Sequence, residues 1–235
     1  MKRIPGSILS VYLISFAYWI YRFANSFSSD LIDYRALGWI LQHQGLIGFL
    51  VTGPHREPIY PLICAWAMNI ENLSGISFTH IMAGFGILML TATQILTYAI
   101  LRGLNIRTWI CSLAILYLGV SPAITNSAFH VLLFCEIATY PFICAVVLIG
   151  SLGWEAIKQN NKKTACGYGA LGGLVFAVLT LIKAAFECIC PAYLMIFLAA
   201  AVYKKKISFS LVCFLAAAGL LFYVPIIGYK CLNKT

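Results

Sequence analysis

The sequence predicts an all-α fold: a polytopic transmembrane helix bundle of about seven spans, with two interfacial helices in the first outer loop. Three observations carry this. The composition is 62% hydrophobic and 10% charged, with a mean hydropathy of +0.91, far from a soluble domain. Seven long runs are almost free of charge. The net positive charge falls on one side of those runs.

A bilayer core of roughly 30 Å needs about 20 mostly apolar helical residues. Candidate spans are Ile8–Phe23, Ser77–Leu101, Thr108–Thr125, Ile137–Trp154, Thr164–Ile182, Cys188–Tyr203 and Ile207–Tyr229. Lipid offers no hydrogen bonds to the backbone, so each run is expected to be helical. The chain then reads as one membrane module over 1–235. Residues 8–23 form the first span, 24–76 an extracytoplasmic loop, 77–229 six further spans and 230–235 an outer tail. Met1-Lys-Arg followed by an apolar run also fits a signal peptide. The run continues through Tyr18-Trp-Ile-Tyr-Arg-Phe with no small-x-small site, which favours a retained signal anchor.

The long loop divides in two. Over Leu31–Phe49, apolar positions are interleaved with Asp33, Arg35, Gln42, His43 and Gln44, the pattern of a helix lying in the interface. A turn follows at Thr52-Gly-Pro-His. Pro58–Asn69 is a second short apolar segment, with Tyr60 and Trp66 suited to headgroup depth. The rival reading makes these two segments a membrane hairpin, for nine spans. Gln42-His-Gln44 in mid-run speaks against it.

Charge sets the orientation. With the amino terminus in the cytoplasm, the inner side holds ten basic residues (Lys2, Arg3, Arg102, Arg107, Lys158, Lys162, Lys163, Lys204, Lys205 and Lys206) against Glu155 alone. The outer side holds six basic and six acidic residues. The whole formal net charge of +9 therefore sits inside, as the positive-inside rule expects. Topology explains the basic pI, and no nucleic-acid partner is implied. The expected location is a bacterial inner (plasma) membrane, with the carboxy terminus extracytoplasmic. The nine cysteines lie mostly within apolar runs and read as small hydrophobes. No metal-ligand spacing is present, so no metal and no cofactor are expected.

Four of the seven carboxylates (Asp30, Asp33, Glu57 and Glu71) fall between the first and second apolar runs. Polar groups gathered at a bilayer boundary mark functional sites. In Ser28-Ser-Asp30-Leu-Ile-Asp33-Tyr34, one account is helix capping by Ser29 or Asp30. The other is a general base that takes a proton from an attacking hydroxyl. His55-Arg56-Glu57-Pro58-Ile-Tyr60-Pro61 is stiffened by two prolines. Its Arg offers a planar donor fork to a phosphate, or simply pairs with Glu57 or with lipid. Lys183 and Glu187, four apart, are read either as a helical ion pair or with Lys183 neutralising a lipid phosphate. Glu136 is either a helix cap or a site acid.

Taken together, Asp30-x-x-x-Tyr34, Ala36-Leu37, Gly45, Arg56-x-Pro58-x-Tyr60-Pro61 and Ala65 resemble the first outer loop of GT-C fold membrane glycosyltransferases. The similarity is to the relatives of the protein mannosyltransferases and aminoarabinose transferases. Glu136 resembles that family's acid between the third and fourth helices. Gly172-Gly173, followed by Leu179-Thr-Leu-Ile-Lys183, resembles its glycine-bearing helix ending at the outer face. Leu31 stands where an acid or small polar residue is common, and Asp33 is an extra carboxylate. Family members usually run longer, so the match corresponds to their amino-terminal part.

The resemblance implies transfer of a sugar from a polyprenyl-phosphate donor to an acceptor hydroxyl on the extracytoplasmic side, inverting and without metal. It implies Asp30 as the catalytic base. Asp33, Tyr34, Arg56, Glu57, Tyr60, Glu136 and Lys183 would bind substrate. The partners are then the bilayer, the lipid-linked sugar and an acceptor the sequence does not name. The alternative class is a non-catalytic accessory subunit of the same fold, or a small transporter. Transport favours ionisable residues deep within spans and repeat symmetry, and the sequence has neither.

Overall fold

The computed structural model describes residues 6–24, 31–52, 57–122, 124–125, 135–204 and 207–233. Among these, regular structure is helical, without a strand: α1 (Gly6–Ala24), α2 (Leu31–Thr52), α3 (Ile59–Ser74), α4 (Phe78–Gly103), α5 (Thr108–Val120), α6 (Cys135–Lys158), α7 (Lys162–Ile182), α8 (Ile189–Tyr203) and α9 (Phe209–Leu232). A 3₁₀ turn, Ala184–Glu187, precedes α8. Among the described residues, five helical stretches are long and apolar enough to cross a membrane: Phe78–Gly103, Glu136–Lys158, Lys162–Ile182, Ala184–Tyr203 and Phe209–Leu232. The protein is a membrane-embedded helical protein.

Two of the seven expected spans fall outside that group. The α1 helix has 19 residues. The run expected to continue to Thr125 is interrupted, because α5 closes after 13 residues at an extended Ser121 (φ −61, ψ 122). Ser121 precedes Pro122, and a residue before proline is pushed out of the helical region. Thirteen residues reach only about 20 Å.

The chain divides into two compact units: residues 1–45 with 60–144, and residues 46–59 with 145–235. Both α2 and α6 run across the division.

In the first unit, polar groups key α1 to α4 and α5. The Trp19 indole donates to the Gly119 carbonyl at 2.7 Å. The Gln94 amide donates to Ser15 Oγ at 2.9 Å and to the Ile115 carbonyl at 2.8 Å. Each of these side chains is buried, and leaving such a bond unmade costs about 1–3 kcal/mol. Gly119 is required there, since a Cβ would collide with Ser15 and Gln94. Ile8, Val11 and Ile115 complete this core.

The α2 and α3 helices lie close together in the same unit. A Cβ at Gly38 would press on the α3 backbone at Ala65, 2.9 Å away. Gln42 donates to the Ala65 carbonyl at 2.9 Å and to Asn69 at 2.8 Å. This gives the mid-run glutamine its partner. The α2 helix breaks at Gly45 (φ 70, ψ 171), a conformation open essentially only to glycine.

The second unit is built on α7 and α9. Gly169 and Gly173, one turn apart, sit against the backbone of α9 at Phe214 and Ala218. Small residues four apart let membrane helices approach to backbone contact. Phe214 is fully buried and stacks on Phe197 with centroids 4.7 Å apart. One end of this unit is basic. There Asn161 caps α7, Ser210 Oγ donates to Asn160 at 2.8 Å, and the Lys162 ammonium lies 4.9 Å from the Phe209 ring centre. The 21 residues of α7 carry the chain about 31 Å to the other end, the thickness of a hydrocarbon core.

Candidate functional site

At that other end α7 stops where Lys183 turns extended (φ −153, ψ 115), its N–H still bonded to the Leu179 carbonyl. The 3₁₀ turn Ala184–Glu187 then reverses the chain into α8, whose first turn accommodates Pro191 because its leading N–H groups need no helical partner. Glu57, at the end of the outer-loop segment, closes on this turn. Its Oε1 accepts a hydrogen bond from the Ala184 amide at 2.9 Å. A carboxylate on a backbone amide is a charge-assisted contact, stronger than a neutral one. It joins two segments 127 positions apart. In sequence Glu57 follows Arg56 and Ala184 follows Lys183, the two cations for which a lipid phosphate is one of the two sequence readings.

The helical pairing of Lys183 with Glu187 is corrected by the same geometry. The extended backbone at Lys183 cancels the one-turn spacing, and Glu187 instead accepts from Lys230 of α9 at 2.5 Å. Both side chains are partly exposed, so this bridge contributes about 0–1 kcal/mol.

In the first unit, Tyr34 and Tyr60 meet edge to face, with centroids 4.7 Å apart, an arrangement favoured by the ring quadrupoles. Tyr60 is buried. Glu136 lies in the first turn of α6, where a negative charge complements the helix dipole. The backbone of Asp33 belongs to α2, but its side chain lies outside the described residues. Asp30 and Arg56 lie outside them altogether.

The predicted site residues thus form two described groupings: Tyr34 with Tyr60, and Glu57 with the peptide after Lys183. A third grouping was not anticipated. Arg35 donates to Glu71 Oε2 at 2.7 Å, and the other carboxylate oxygen accepts the Phe78 amide at 2.9 Å. The Arg35 guanidinium also lies 5.1 Å from the Phe78 ring centre. One carboxylate therefore ties α2, α3 and the start of α4. The available signal was the pair of opposite charges, Arg35 and Glu71, in a stretch otherwise dominated by apolar helix. Among the described residues no group of three or more His, Cys, Asp or Glu side chains gathers as a metal site.

No protein-family model, curated protein or solved structure matches this chain.

Proposed function

We propose that this protein is a membrane glycosyltransferase that moves a sugar from a polyprenyl-phosphate donor to an acceptor hydroxyl on the extracytoplasmic side. The motif resemblance over the outer loop supplies the reaction class. The observation that supports it most directly is the Glu57–Ala184 hydrogen bond, which links the chain neighbours of Arg56 and Lys183. Two cations at one lipid phosphate are what the departing group of such a reaction needs.

In this reading Asp30 takes the proton of the acceptor hydroxyl. The oxygen attacks the anomeric carbon, the bond from that carbon to the phosphate oxygen breaks, and the polyprenyl phosphate leaves with the electron pair. Arg56 and Lys183 stabilise its charge. Direct displacement inverts the anomeric centre. Asp33, Tyr34, Glu57, Tyr60 and Glu136 orient the sugar and acceptor, so that positioning and charge placement carry most of the acceleration.

The test is release of polyprenyl phosphate from a sugar-charged lipid by the purified protein in proteoliposomes. Wild type is expected to release it, and Asp30→Asn, present at equal level, to be slower by about 10²–10⁴-fold, the range for a general base. Undiminished release by Asp30→Asn removes that residue from the role. No release by wild type leaves the accessory-subunit reading.

A further inference from the structure

A groove of about 390 Å³ runs between α6 and α8 in the second unit, within the size range of small-molecule sites. One stripe of each helix forms its walls. Val147, Gly150 and Trp154 follow one another on α6, and Tyr193 and Phe197 on α8, with Lys204 the last lining residue along the chain. The floor is fixed. Tyr193 packs on Phe176 and Phe197 packs on Phe214, with centroids 5.0 and 4.7 Å apart.

We propose that this groove is a binding site for one acyl chain of an anionic glycerophospholipid, whose phosphate sits on Lys204. Length is the first argument. From Tyr193 to Lys204 the helix rises about 16 Å, half of a roughly 30 Å hydrocarbon core. The lining residues of α8 therefore span the depth of one leaflet, the reach of one acyl chain. A long polyprenyl chain does not match that depth.

Charge is the second argument. Lys204 is exposed, and its ammonium lies 6.0 Å from the Trp154 ring centre. Indole side chains favour headgroup depth, so the cation stands where a lipid phosphate would lie. Lys162 lies at the same basic end. Glu155, the acid next to Trp154, is already bridged to Lys158 at 2.6 Å. An anionic headgroup meets a cation there with the neighbouring carboxylate already neutralised.

The experiment uses the full chain reconstituted in vesicles of equal dioleoylphosphatidylglycerol and dioleoylphosphatidylcholine, then released into detergent and weighed intact by native mass spectrometry. One phosphatidylglycerol is expected to stay bound in preference to phosphatidylcholine. Lys204→Gln should reduce that preference about five-fold, the usual effect of one lysine at a membrane surface. Ala200→Phe, which fills the groove, should lose the adduct of either lipid. Lys230→Gln, at the opposite end of the unit, should change nothing. Equal retention of the two lipids by wild type overturns the proposal, as does an unchanged preference in Lys204→Gln. Displacement of phosphatidylglycerol by an equal amount of polyprenyl phosphate also overturns the assigned occupant.

Discussion

Gly173 of α7 lies directly against the Ala218 carbonyl of α9, and a Cβ at position 173 has no room. Gly172, its neighbour in sequence, is different, because an added methyl there meets only Ile149 Cγ2 at 3.6 Å. Overpacking a tight contact costs typically about 1–3 kcal/mol. Gly173→Leu should therefore lower the melting temperature in detergent and separate α7 from α9 in disulfide-trapping experiments. Gly172→Ala should leave both unchanged. Equal sensitivity at the two positions would mean that backbone approach does not hold this pair together.

Glu71 caps the first amide of α4 while holding Arg35. Loss of a side-chain cap costs about 1 kcal/mol, equivalent to about a five-fold change in opening equilibrium. Hydrogen exchange over residues 75–81 should accelerate by that factor in Glu71→Ala, and less in Glu71→Gln, which keeps an acceptor for the Phe78 amide. Unchanged exchange in Glu71→Ala would show that the α4 start needs no help from α3.

The two ends of α7 should open to opposite compartments. Cys188 is exposed beside the Lys183 turn, and Lys163 is exposed at the basic end. In sealed, right-side-out vesicles, with Cys166 and Cys231 changed to Ser, an impermeant maleimide should label Cys188 at once. It should reach Lys163→Cys only after permeabilisation. The reverse order would invert the topology and remove Lys183 from the outer face.

Burial pushes the Cys64 thiol of α3 up to about 12. Its folded value stands above the unfolded one near 9.0. The folded chain thus holds a proton that the unfolded chain releases, and the resulting stability is complete below pH 9 and declines from there towards 12. Iodoacetamide at pH 8 should modify exposed Cys166, Cys188 and Cys231 while sparing Cys64. Cys64→Ala should flatten the alkaline fall in stability. Rapid modification of Cys64 at pH 8 would contradict its burial.

The helices were legible in the sequence wherever length and apolarity alone decide them, as at Phe78–Gly103 and Phe209–Leu232. The segments over 31–52 and 59–74 were also anticipated as helices, although the second runs five residues past the expected Asn69. The early end of α5 was missed, although Pro122 was the sign of it. What hydropathy cannot encode is which distant segments touch. Gly172-Gly173 was singled out by resemblance, whereas the packing uses Gly169 and Gly173, a spacing that becomes meaningful only beside Phe214 and Ala218. Glu57 was read as a substrate-binding residue or as a partner of Arg56, and its described partner is the Ala184 amide. A charge pair read from helical spacing, Lys183 with Glu187, gave way because the helix ends one residue too soon.

The partners of α1 bear on the order of events during synthesis. Ser15 and Trp19 emerge from the ribosome early, but Gln94 and Gly119, which satisfy them, are made much later. Until translation has passed that point, the first helix holds its hydroxyl and indole N–H without their native counterparts. The α1 helix therefore settles into its final register only once α4 and α5 have followed it, and any factor that attends the nascent chain must shelter it for that interval.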